Sequence, residues 1–222
     1  MKRVRVLIGG PVSEWPAALQ AGELTGPWVA ADRGALRLLQ LGVVPELVAG
    51  DFDSLAPAER NLVEQQVHKI VAVRPEKDET DTELLLRLLG EDETIDEIEI
   101  YGATGGRLDQ LLSNIWIFTQ LRFRDLVAKI KLIDRSNVVS FYLPGIHAIE
   151  RLPEMTYLGF INLTAVENLT LLDEKYALQS WSSTTPFSWS SNEFTAKINH
   201  FSFDSGIVAV IQSRDLHGQQ GD

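Results

Sequence analysis

The chain has 222 residues, 45% hydrophobic and 23% charged, an ordinary globular composition with room for one large domain or two small ones. Its formal net charge of −11 argues against general nucleic-acid binding, and suits a cationic small molecule or an anion delivered with a divalent cation. The absence of cysteine excludes disulfides and thiolate metal sites, and the four histidines, His68, His147, His200 and His217, lack ligand spacing, so zinc is not expected.

Met1-Lys2-Arg3 is basic, but the apolar run behind it is short and carries Arg5. No apolar run approaches membrane-spanning length, and the expectation is a cytoplasmic protein. Residues 4–8 read as a strand closed by Gly9-Gly10-Pro11. A short helix over 15–20 and a strand over 28–31 follow, the strand ending in Asp32-Arg33-Gly34. The next helix, 35–41, places Leu38, Leu39 and Leu41 and stops at Gly42.

Leu47-Val48-Ala49 ends a third strand and delivers Gly50-Asp51-Phe52-Asp53-Ser54. Two carboxylates two residues apart on a turn repel, by roughly 4 kcal/mol at a separation of about 4 Å and an effective dielectric near 20. A divalent cation between them removes that cost. For an Asp-x-Asp alone, a solvated acidic loop is an equal alternative; two more acidic turns downstream weigh against it. Phe52 is expected to point the other way and anchor the turn.

Ser54 is placed to cap a helix over 57–67, and 69–73 reads as a strand. The second acidic turn is Lys77-Asp78-Glu79-Thr80-Asp81-Thr82. Thr80 and Glu83 have capping-box spacing ahead of Leu84-Leu85-Leu86, so this turn ends at a helix start. Complementing the helix dipole explains Asp81 but not Asp78, which precedes the helix. After a strand over 97–101 comes Gly102-Ala103-Thr104-Gly105-Gly106-Arg107-Leu108-Asp109. Its glycines allow close backbone approach to a ligand, amides at a helix start favour anions, and Arg107 can fork onto phosphate oxygens. A helix over 110–121 and a strand over 129–133 complete this half.

Alternating strands and helices predict an α/β domain over 1–135 with a largely parallel sheet. Ligands of such sheets sit beyond the carboxyl ends of the strands. Asp32, Asp51, Asp78 and the Gly102 turn all follow strands, so one cleft can collect them. Over 136–222 the pattern changes. Segments at 138–143, 157–163, 169–172, 176–181, 194–203 and 207–211 are β-rich and predict an all-β domain, a sandwich or flattened barrel. The stretch 181–192, rich in Ser, Thr and aromatics, reads as its tip, and Trp181, Phe187 and Trp189 as β-packing unless one stacks on a flat cation. The tail from His217 is polar and expected to fray.

Together, Ala31-Asp32-Arg33-Gly34, the Asp51 turn, the Asp78 turn, the Gly102 turn through Gln110 with Asn114, and Ser191-Asn192-Glu193 resemble the thiamine pyrophosphokinase family across nearly the whole chain. The resemblance implies an N-terminal α/β domain, a C-terminal β-sandwich and a homodimer. It also implies transfer of the β,γ-pyrophosphoryl group of ATP to the thiamine hydroxyl, leaving AMP. By the same resemblance, Asp51, Asp53, Asp78 and Asp81 hold Mg²⁺ and act with Arg107 in catalysis. Asp32, Thr82, Thr104, Gly105, Arg107 and Asp109 face the nucleotide, and Ser191 and Asn192 face thiamine.

Three places depart from the family pattern. Arg33 stands where glycine is usual, Gln110 where many bacterial members have histidine, and Asp173-Glu174-Lys175-Tyr176 where Gly-Leu-Lys-aromatic is usual. Two other readings stay open from sequence alone: a Mg²⁺-dependent phosphohydrolase with Asp51 as nucleophile, and a thiamine or nucleotide sensor without turnover.

Overall fold

The computed structural model describes residues 1–72 and 78–216. Val73 at the end of one expected strand, Lys77 of the second acidic turn and the tail from His217 lie outside the described residues. The chain divides into two compact units, Met1–Arg135 and Ser136–Asp222.

The first unit alternates strand and helix. In order it contains β1 (Lys2–Leu7), α1 (Ala17–Gln20), β2 (Trp28–Ala31), α2 (Arg33–Gln40), β3 (Leu47–Gly50) and α3 (Pro57–Gln66). There follow β4 (Ile70–Ala72), α4 (Asp81–Gly90), β5 (Ile95–Tyr101), α5 (Leu108–Trp116) and β6 (Ile130–Ile133). The strands lie side by side as β6-β5-β1-β2-β3-β4, every pair parallel. Strands β2 and β3 are buried at every residue, as a parallel sheet covered on both faces requires. The chain steps outward from β1 to β4, then returns to lay β5 on the other side of β1. That reversal creates a crevice beyond the carboxyl ends of β1 and β5.

Leu7, Trp28, Ala30 and Val48 of the sheet share one core with Ala35 and Leu38 of α2 and Val63 of α3. Helix α2 sits so close to β1 that a Cβ on Gly34 would lie 2.1 Å from the Leu7 carbonyl oxygen. Only glycine permits that approach.

Two local expectations are corrected here. Ser54 does not cap α3; Pro57 takes the first helical position, and the Ala56 N–H donates to Glu59 Oε2 at 2.9 Å. The helix expected to reach residue 121 runs as α5 only to Trp116, followed by 3₁₀ turns at Ile117–Thr119 and Leu121–Lys129. Gln120 between them is extended and donates to Glu83 Oε1 at 2.5 Å, which draws the chain out of the helix toward α4.

The second unit is an antiparallel β-sandwich. Its strands are β7 (Asn137–Tyr142), β8 (Gly145–Glu150), β9 (Tyr157–Asn162), β10 (Val166–Leu171), β11 (Leu178–Ser183), β12 (Phe187–Glu193), β13 (Ile198–Phe203) and β14 (Val208–Ser213). One sheet is ordered β12-β9-β14-β7 and the other β11-β10-β13-β8. Their inner faces meet through Leu158, Phe160, Val208 and Val210 on one side and Ile149, Leu169, Leu171 and Phe201 on the other.

Strands β8 and β12 escaped the sequence pattern. Residues 181–192 are the end of β11, a turn and most of β12, not a tip. Serines fill the exposed side of β12 and only Ile149 is buried in β8, so neither carries an alternating apolar signal. Trp181, Phe187 and Trp189 pack on one another, with ring centroids 4.9 to 5.5 Å apart.

Replacing Gly34 with alanine drives a methyl group into the β1 backbone. The expected loss is about 1–3 kcal/mol of unfolding free energy, read as a lowered urea midpoint with an unchanged slope.

Candidate active site

The turns that end β1, β2, β3 and β5, with the start of α4, line one cleft of about 620 Å³ in the first unit. Asp32 follows β2 as the residue before α2, with φ 46° and ψ −126°, unusual for a non-glycine residue. Its side chain lies against Gly50, where a Cβ would come within 2.4 Å of Asp32 Oδ1. Gly50 is therefore the space that admits the carboxyl group.

Asp51 comes next on the β3 turn, and its Oδ1 accepts the Asp53 N–H at 3.0 Å. Phe52, at φ 60°, turns inward, is buried in the core and carries the Arg60 guanidinium 5.6 Å above its ring. This inward anchor leaves the flanking aspartates facing the cleft.

Asp81 opens α4. Thr80 Oγ1 accepts the Glu83 N–H at 3.2 Å and the Thr80 N–H donates to Glu83 Oε2 at 2.7 Å, completing the capping box read from the sequence. One carboxylate oxygen each from Asp32, Asp51 and Asp81 lie within 4.8 Å of one another.

Asp32 bears the electrostatic consequence. Its Oδ1 is buried without a hydrogen-bond partner. Burial first, then hydrogen bonding and repulsion from Asp81 and the charges of Asp51 and Asp53, push its carboxyl up to about 8. The exposed Asp53 is raised chiefly by the charge of Asp51. Three convergent hard oxygen donors are what a small divalent cation takes from a protein.

The opposite side of the cleft is backbone. Gly102, Gly105 and Gly106 all have φ between 67° and 74°. The Gly10 N–H donates to the Gly102 carbonyl at 2.9 Å, so the turns after β1 and β5 are joined. Asn114 of α5, also at the cleft, donates from Nδ2 to the Ala103 carbonyl at 3.0 Å and ties the loop to α5. Arg107 is exposed at the cleft, gripped through two nitrogens by Asp109 at 2.5 and 3.1 Å.

Of the residues singled out from sequence, Asp51 and Asp81 join Asp32 in the tight cluster, and Asp53, Thr82, Gly105 and Arg107 line the same cleft. Asp78 is exposed and outside the cluster. Asp109 reaches the site through Arg107, and Thr104 Oγ1 turns to Asp134 Oδ2 at 2.6 Å.

Arg33 lines the cleft while its guanidinium donates to the Ser54 carbonyl and lies 3.4 Å from Glu59 Oε2, bracing the Asp51 turn. Sequence reasoning passed over Arg37, which donates to the Gly9 carbonyl at 3.0 Å and also to that of Gly10. One turn into α2, it looks like any solvated helix cation; only the tertiary structure brings it under the first glycine turn.

In the second unit, Ser191 is exposed at φ 57° on a bulge of β12, where three steps from Trp189 to Asn192 face two from Phe160 to Leu158 of β9. Asn192 is buried and both ends of its amide are hydrogen-bonded. It accepts from the Tyr176 and Glu193 N–H groups at 2.9 Å each and donates to the Tyr176 carbonyl at 2.8 Å.

Comparison with known proteins accounts for both units. Residues 23–130 match the model of the thiamin pyrophosphokinase catalytic domain, and residues 146–208 that of the thiamin pyrophosphokinase vitamin B1 binding domain. The thiamine pyrophosphokinase of Bacillus subtilis (strain 168) is 34% identical over 219 residues, covering 97% of this chain and all of that protein. The chain belongs to the thiamine pyrophosphokinase family. A thiamin pyrophosphokinase family protein from Enterococcus faecalis superposes with a TM-score of 0.90 at 40% identity, over 97% of this chain and all of that one. A protein from Lactobacillus plantarum does so with a TM-score of 0.89 at 46% identity and the same coverage. Both α/β and sandwich units are thus the family's architecture.

The Asp32 environment makes a stability prediction. Between about pH 4 and pH 8 the folded chain binds one more proton at this position than the unfolded chain, so unfolding free energy falls as pH rises through that window. Asp32→Asn removes this contribution in metal-free protein. Thermal melts of both proteins from about pH 5 to 9 check it: the wild type loses more stability than the variant toward high pH.

Proposed function

We propose that the chain transfers the β,γ-pyrophosphoryl group of ATP to the hydroxyl of thiamine, giving thiamine diphosphate and AMP, with Mg²⁺ required. The observation that carries this reading is the convergence of Asp32, Asp51 and Asp81 in the same cleft as the glycine turn and Arg107. The donor set fits Mg²⁺: three converging carboxylates, with no nitrogen or sulfur ligand among them.

Asp32, Asp51 and Asp81 would hold the ion, with Asp53 supplying further negative charge at the cleft. When bound, Mg²⁺ supplies neutralisation of the phosphate oxygens. The remaining work is positioning and charge stabilisation, as in phosphoryl transfer generally. Gly105 and Gly106 line the cleft, and their backbone is what a phosphate chain would meet there. Thr82 at the start of α4 and the Thr104 loop border the nucleotide. Arg107, aligned by Asp109, stabilises negative charge on the group in transit.

Ser191 on its bulge is the hydroxyl offered to thiamine. A homodimer belongs to the same reading and is checked by light scattering. Among the described residues no helix is long and apolar enough to cross a membrane, and cytoplasmic location is part of the proposal.

A coupled assay for AMP with Mg-ATP, with and without thiamine, tests the reading. Thiamine-dependent AMP release supports it; release of inorganic phosphate, or ligand binding without turnover, overturns it. In the same assay Asp51→Asn lowers kcat by about 10²-fold or more, with circular dichroism unchanged, because it removes one of three converging donors. Arg107→Ala lowers kcat on the order of 10²-fold with a smaller change in KM for ATP, since its contribution grows with developing charge. An unchanged kcat removes Arg107 from the mechanism.

A further inference from the structure

The loop between β10 and β11 carries Asp173-Glu174-Lys175-Tyr176 in place of the family's usual element, and it is fastened to the strand that bears Ser191. The Tyr176 backbone is gripped on both sides by the Asn192 side chain. The Lys175 N–H donates to the Glu193 carbonyl at 3.1 Å, and Lys175 Nζ lies 2.5 Å from Glu193 Oε1. At its other end, Asp173 accepts the His200 N–H at 2.5 Å and lies 2.7 Å from His200 Nδ1. Between these fastenings sits Glu174, only 5% exposed. Its Oε2 accepts the Asp173 N–H at 3.2 Å, and its Oε1 is buried with no hydrogen-bond partner.

We propose that Glu174, buried within the seated loop with one carboxyl oxygen unpartnered, is a positioning residue: its carboxyl sets how firmly the 172–177 loop sits on Asn192, and so how firmly the bulge that presents Ser191 to thiamine is held. The proposal rests on the reading of Ser191 as a thiamine contact. An ionised carboxylate with one oxygen buried and unpaired costs more there than a neutral carboxyl group. Asp173 and Lys175 flank it on the loop, His200 approaches from β13 and Glu193 from β12.

Burial pushes the Glu174 carboxyl up to about 7; the amides of Glu174 and Asp173 oppose that shift, the charge of Asp173 adds to it and His200 opposes it. The seated loop therefore holds this proton more tightly than a released loop. Seating is favoured below about pH 7 and weakens as pH rises through it. A weaker seat lowers the fraction of molecules competent for thiamine and raises its apparent KM without touching the chemical step.

The test is the pH profile of KM for thiamine from about pH 6 to 8.5, in wild type, Glu174→Gln and Glu174→Leu. Wild-type KM is expected to rise by about threefold or more, with kcat differing less than about twofold from the variants at each pH. Both variants, which cannot ionise at 174, hold a flat profile relative to wild type. A rise shared equally by all three proteins, or an effect confined to kcat, overturns the proposal.

Should the wild type show no thiamine-dependent AMP release, the functional reading fails and the loop is still tested. Amide exchange at Tyr176 and Glu193, taken as the wild-type to Glu174→Gln ratio to cancel intrinsic pH dependence, rises from near one at low pH to about threefold at high pH. A constant ratio overturns the locking role whatever the substrate is.

Discussion

Three carboxylates held together is the constraint around which the first unit is built. Each pair of charges at such a separation costs roughly 4 kcal/mol when nothing neutralises it, at an effective dielectric near 20. Fully exposed aspartates relieve such repulsion by swinging apart. Here each is denied that freedom. Asp32 is fixed by a strained backbone and slotted over Gly50. Asp51 is tied to its own turn by the Asp53 amide, and the turn is anchored by Phe52 in the core. Asp81 stands on a helix whose first turn is locked by Thr80 and Glu83. The scaffold's stability is thereby set against its electrostatics, and the raised carboxyl of Asp32 records the conflict.

The same division of labour appears across the cleft. Glycine backbone forms much of that lining and side chains brace it. Arg37, Asn114 and the bond between Gly10 and Gly102 hold two glycine turns open, while Arg107 alone projects a positive charge at the cleft from that loop. In the second unit a bulge plays the part of the turn. It puts a serine at positive φ on the surface and buries the neighbouring asparagine as its fastener. Ser191 offers an exposed hydroxyl there, and the Asn192 side chain holds the Tyr176 backbone.

Much of this architecture was legible beforehand for definite reasons. The alternation of apolar runs with helical periods up to residue 135, then β-rich segments, reflects period rather than identity, and period survives without tertiary information. The capping box at Thr80 is local chemistry and was correctly read. Ser54 is not the cap because Pro57 takes the first helical position, which puts Ala56 at the boundary and leaves Ser54 two residues short of it. Strands β8 and β12 were invisible because their exposed residues are polar or serine-rich and their pairing partners are far along the chain.

By itself the sequence determined the two-part fold class, the three acidic or glycine turns and the family they resemble, since spacing along the chain encodes all of these. What tertiary structure alone decided is which carboxylates meet. Asp32 rather than Asp53 or Asp78 joins Asp51 and Asp81, because proximity there depends on strand order and on the cavity left by a missing Cβ at Gly50, neither of which is written in local spacing. The burial of Asn192 belongs to the same class: its partner Tyr176 is 16 residues away, and the loop that holds Tyr176 and the buried Glu174 is also tied through Asp173 to His200, 27 residues on.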